Sequence, residues 1–149
     1  MTEQKKKVEP QKEDVIKSPY DVFGTDVSNE EKGVVLDYGY FCIVVKRAGP
    51  NNKEFKKRLR RINDSKGKRI QIGAITDEEM NSDMITLFAE TVVTEWKGVR
   101  DKEKNILPFT VANCIELFTN LPDLFEDVRR QAMDFQTFVE ADVEEATKN

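Results

Sequence analysis

The sequence predicts a mainly helical α+β fold: a small N-terminal β-hairpin followed by a helical domain of about four helices. Three observations point there. Apolar residues recur at helical spacing between Thr76 and Val139. Two short segments rich in β-branched and aromatic residues flank Gly39. Helix-start signals stand at Thr76, Thr110 and Pro122-Asp123.

Residues 1–18 are mostly Lys, Glu and Gln with few apolar anchors. Such a segment buries too little surface to offset its ordering entropy, so a disordered charged tail is expected. A single domain over 19–139 then begins near Pro19, where Tyr20, Val22 and Phe23 are the first closely spaced side chains able to dock onto a folded body. Gly33–Gly39 and Tyr40–Arg47 read as a hairpin over 33–47 turning at Gly39, with one long bent strand as the alternative. A lone hairpin is barely stable in water. It must pack on the helices or join strands from another copy, which makes Tyr40, Phe41, Ile43 and Val45 a candidate self-association edge.

Ala48 to Asn52 is a turn, and a basic helix is expected over 51–64, with Phe55, Leu59 and Ile62 as its apolar stripe. Lys53, Lys56, Lys57, Arg58, Arg60 and Arg61 surround that stripe, and Lys66, Lys68 and Arg69 extend the charge. They form either a solvated face or an electrostatic docking face for an acidic protein or for phosphates. Nucleic acid is disfavoured, because no aromatic residues alternate with the basic ones and the chain as a whole is acidic.

A helical core is expected over 76–139. Thr76 with Glu79 suggests a capping box, and Met80, Met84, Leu87, Phe88, Val92 and Trp96 form one stripe of a helix that Gly98 ends. After a polar turn, Thr110 opens a shorter helix through Cys114, Ile115, Leu117 and Phe118. Pro122 and Asp123 start a third, with Leu124, Val128, Ala132, Phe135 and Val139 on one face. Glu140, Asp142, Glu144 and Glu145 make residues 140–149 an acidic C-terminal tail.

At 149 residues and net charge −4, the chain suits one domain of modest core. It holds no apolar run of about eighteen residues to span a bilayer and no apolar core of a secretory signal, so it is expected to act where it is made. Its two cysteines, Cys42 and Cys114, read as reduced core residues. Chemistry is thin: there is no histidine, no CxxC spacing and no glycine-rich phosphate loop. Glu90 with Glu95, and Asp123 with Glu126 and Asp127, read as solvated helix acids. Trp96, Phe88 and Phe118 at helical spacing read as core. A non-enzyme without metal or cofactor is expected.

Phe23-Gly24-Thr25-Asp26, Glu30 to Gly39, Lys46-Arg47-Ala48-Gly49 and Asn51 to Phe55 resemble the front half of tail assembly chaperones of long-tailed (siphovirus-type) bacteriophages. Glu95 to Asp101, Leu107-Pro108-Phe109-Thr110, Asn113-Cys114 and Leu121 to Val128 are similar to the back half, so the resemblance covers roughly Phe23 to Phe138. Two turns depart from it. Asn105 stands where a glycine is usual, and Val111 and Asn113 stand where Pro and Glu are usual.

The resemblance implies a non-enzymatic role in the bacterial host cytoplasm during virus assembly. Such chaperones coat the tape measure protein, keep it soluble, help tail tube protein polymerise around it, and are absent from the virion. Many have a frameshifted longer form. A coat of this kind needs adaptable apolar faces and favours homo-oligomers. Met80, Met84, Phe88, Met133, Phe135 and Phe138 are the candidate partner-binding residues, with intramolecular core as their other reading. A small regulatory or nucleic-acid-binding phage protein using residues 53–69, and a structural tail subunit, are the alternatives.

Overall fold

In the computed structural model, residues 16–24 and 27–139 are described. Most of the expected N-terminal tail (1–15) and the acidic end (140–149) lie outside the described residues. The elements are α1 (Pro19–Phe23), α2 (Val27–Lys32), β1 (Val34–Asp37), β2 (Cys42–Val45), α3 (Lys53–Gln71), α4 (Asp77–Thr91), β3 (Val93–Lys97), α5 (Val111–Asn120) and α6 (Pro122–Met133). The fold is α+β, as expected, with several helices around a small antiparallel sheet.

β1 and β2 form the expected hairpin, Val34 facing Val45 and Asp37 facing Cys42. Gly39 takes a positive φ at its tip, its N–H donating to Asp37 Oδ1 at 2.9 Å. The sheet has a third strand where a helix was expected: β3 pairs antiparallel with β2, giving the order β1-β2-β3. The reading of one helix from Thr76 to Trp96 is therefore corrected, since α4 stops at Thr91. The β-branched run Thr91-Val92-Val93-Thr94 favours extended backbone. The helical-looking spacing has its own cause. Val45 faces Val93 while Val44 faces Glu95, so Thr94 is an extra residue, a bulge. That bulge lets Val93 and Trp96, three apart, both be buried from one strand.

α3 runs seven residues past the expected end at 64, and Lys66 and Arg69 in that extension are held to α4 by ion pairs. It closes on Gly73, with Gly73 N–H bonded to Ile70 O (3.1 Å) and Ala74 N–H to Arg69 O (2.7 Å). This is a Schellman arrangement. Thr76 caps α4 by accepting from Glu79 N–H at 3.0 Å. The Glu79 carboxylate, expected to close a capping box, pairs with Arg69 and Lys66 instead.

α6 is also shorter than expected. Asp134 leaves the helical region, and its Oδ1 accepts from Gln136 N–H at 3.0 Å, starting a separate helical segment, 135–139. The shift in phase puts Phe138, not Phe135 or Val139, fully into the core.

One core joins the sheet to the helices. Ile43 and Val45 meet Phe88, Phe118, Phe125, Val128 and Phe138, all at 2% exposure or less, so these side chains decide the packing. Phe88 sits edge-on to both Phe55 and Phe125, at 5.7 and 5.6 Å between ring centres. Trp96 donates from Nε1 to Leu107 O at 2.8 Å and meets Phe109 edge-on, pinning the turn after β3. In that turn Lys104, not Asn105, takes the left-handed conformation. Asn52 ties three elements: Oδ1 caps α3 by accepting from Phe55 N–H, while Nδ2 donates to Arg47 O and Thr91 O.

Candidate interaction surfaces

The candidate partner-binding residues divide. Phe88 and Phe138 are fully buried and belong to the core, which removes them from any free surface. Met80 and Met84 are half-buried on the first half of α4. Met133 is 51% exposed at the end of α6, and Phe135, two residues on, is half-buried. Phe23 stacks at a tilt on Phe135 with ring centres 5.1 Å apart, yet stays 65% exposed. Tyr20, one turn earlier in α1, is 86% exposed. Of the three side chains expected to dock, Phe23 meets the body through Phe135, while Tyr20 and Val22 stay exposed. Phe23 on Phe135, and Met133 at the end of α6, leave apolar surface exposed.

Met133 borders a polar cluster, lining a depression with Asp127 and Arg130. Tyr38 OH donates to Asp127 Oδ2 at 2.7 Å, Gln131 Nε2 donates to the same oxygen at 2.8 Å, and Arg130 pairs with Oδ1. The Tyr38 hydrogen bond leads in holding Asp127 below its ordinary value. Burial first, and then the same bond, raise Tyr38 well above its own. A depressed carboxylate stabilises the fold above its unfolded pKa and loses that as pH falls through the folded value. A raised phenol stabilises it below pH of about 10 and loses that as pH rises through the folded value. Tyr38→Phe is accordingly expected to lower stability by about 1 kcal/mol at neutral pH, with the difference from wild type shrinking below pH of about 4 and above about 10. Urea unfolding across pH checks this, and a pH-independent difference would contradict it.

The proposed self-association edge is corrected by the sheet order. β2 is the central strand, bonded on both sides, so it has no free edge to offer another chain. Ile43 and Val45 are fully buried, Phe41 stacks on Tyr38 at 5.0 Å, and Tyr40 alone projects from the hairpin tip at 95% exposure. Nothing in composition separates a middle strand from an edge strand when the third strand is hidden by a bulge.

The basic helix sorts its charges by face. Arg58 pairs with Glu90 and Glu54, Lys66 with Asp83 and Glu79, and Arg69 binds Glu79 through two nitrogens at 2.8 Å each. Hydrogen bonds from Arg69 and then Lys66 hold the Glu79 carboxyl below its ordinary range. Lys53, Lys56, Lys57, Arg60 and Arg61 are exposed. Arg58 therefore leaves the proposed docking set, because α4 already holds it.

Among the described residues no group of three or more His, Cys, Asp or Glu is placed to hold a metal. No described helix is long and apolar enough to cross a membrane. Burial pushes the Cys114 thiol up to about 12, so it stays protonated at neutral pH. A depression of ≈ 390 Å³ lies between the turn after β3 and α5, lined by Arg100, Leu107, Asn113, Leu117 and Leu121, and it is open to solvent.

A small α+β protein with exposed apolar and basic faces is the class that the fold and surface define. The chain belongs to the YdaY prophage protein family, whose model matches residues 50–149. It is therefore phage-derived. The match begins at the turn before α3 and takes in β3, whose partner strand β2 lies before the matched region. No curated protein and no solved structure matches the chain.

Proposed function

We propose that this prophage protein is a tail assembly chaperone. It binds the tape measure protein, keeps that long apolar helix soluble in the host cytoplasm, and promotes polymerisation of tail tube protein around it. It acts without chemistry of its own, as a homo-oligomer or together with a frameshifted longer form, and leaves before the virion is complete. The prophage family and the resemblance over Phe23 to Phe138 both support this reading.

The observation that carries it is the exposed apolar side chains: Phe23 lying on Phe135, and Met133 beside Asp127 and Arg130. Flexible methionine and aromatic side chains with a charged rim suit an amphipathic helix laid across them. Co-expression with the tape measure protein of the same prophage tests the proposal. A soluble tape measure protein that co-purifies is expected, with at least about tenfold less recovered for Phe23→Ser combined with Met133→Asp, a loss of about 1.4 kcal/mol. An insoluble tape measure protein with nothing co-purifying would defeat the proposal.

A further inference from the structure

The cations of α3 fall on two faces with different fates. Arg58, Lys66 and Arg69 point to α4 and are paired with its acids. Lys53, Lys57, Arg60 and Lys68, spaced by steps close to whole turns, line the outer side, with Arg61 at its border, where it also lines a depression with Asp83 and Glu90 of α4. All five are exposed, and Asp64 is the acid that interrupts them. The strip is one helix wide. Glu54 borders it, and Glu31 shares a depression with Lys53 and Glu54 at its start. A broad polyanion such as a nucleic-acid duplex would bring phosphates against those carboxylates, whereas a slender acidic peptide would not.

We propose that this outer face is the docking surface for the acidic segment that follows Val139 in the same chain. Its sequence holds Glu140, Asp142, Glu144 and Glu145, with no cation before Lys148. Ala48 N–H bonds Ala132 O at 2.9 Å, which sets the end of α6 against the turn that leads into α3, and Val139 follows seven residues later. Residues 140–149 reach at most ~33 Å when extended, and α3 is about 28 Å long. A tethered acidic segment also meets the strip at an effective concentration that separate chains do not match.

Zero-length carbodiimide cross-linking of the full chain, as an equal mixture of ¹⁴N and ¹⁵N protein, tests this. The expected result is single-isotope cross-links joining Glu140, Asp142 or Glu144 to Lys53, Lys57 or Lys68. They should fall by about fivefold in ~0.5 M salt. Lys57→Glu with Arg60→Glu and Arg61→Glu should reduce them to a similar extent, with the circular dichroism spectrum unchanged. Mixed-isotope cross-links would overturn the proposal in favour of contact between copies. Absent cross-links, or cross-links indifferent to salt in the wild-type chain, would overturn it outright.

Discussion

Phe88→Ala is expected to destabilise the protein by about 3–5 kcal/mol, a large share of the ~5–15 kcal/mol that holds a typical domain folded. Phe88 is wholly buried, and its ring is the shared wall between Phe55 of α3 and Phe125 of α6. Phe125 in turn packs at a tilt on Phe118 of α5, with ring centres 5.4 Å apart. Truncation removes the transfer energy of the ring and leaves a cavity that three helices cannot close together. Met133→Ala is the natural control. Met133 is 51% exposed, so a change within about 0.5 kcal/mol is expected. Urea unfolding of the two variants decides the matter. A Phe88→Ala loss below about 1 kcal/mol would mean that the aromatic chain is not the centre of the core.

Gly98→Ala is expected to lose roughly 2–4 kcal/mol, while Gly73→Ala loses only about 1–2. Both glycines have positive φ, +77° and +71°, so an L side chain is strained at either. They differ in what the new methyl meets. At Gly98 a Cβ would stand 2.9 Å from Tyr40 O and 3.3 Å from Phe41 Cα, which is backbone of the neighbouring hairpin and cannot swing aside. At Gly73 nothing lies within 4 Å. Thermal or urea unfolding of the pair separates conformational strain from steric conflict. Equal losses would show that the hairpin end yields freely.

Gly98 also shows how far a sequence can be read. Its left-handed conformation was expected, as the end of a helix, and it is present at the end of a strand instead. A glycine signals the dihedral angle and not the element that requires it. The same holds for Val93 and Trp96, whose spacing of three is that of a helix because Thr94 is bulged out of register with β2. Lys104 in place of Asn105 is a third case: the turn needed one left-handed residue, and the Asp101 side chain bond to Asn105 N–H at 2.9 Å chose which.

The candidate surfaces were legible to different degrees. The basic helix and its exposed lysines followed from charge and periodicity. The loss of Arg58 to Glu90, thirty-two residues away, did not. Met133 is legible as an apolar residue near a helix end, whereas the contact of Phe23 with Phe135 is not. For Phe138 the two readings, partner surface and core, are decided for the core, where the break in the helix at Asp134 places it.

By itself the sequence determined the α+β class, the hairpin at Gly39, the helix starts at Thr76, Thr110 and Pro122, and most of the apolar side chains that fill the core. These depend on local backbone preference and on spacing within about one turn. Only the tertiary structure decided that Val93–Lys97 is a strand, that β2 lies in the middle of the sheet, and which cations of α3 remain on the surface. Each of those depends on partners far away in the chain, which local preference does not name even where, as in the β-branched run from Thr91 to Thr94, it favours extended backbone.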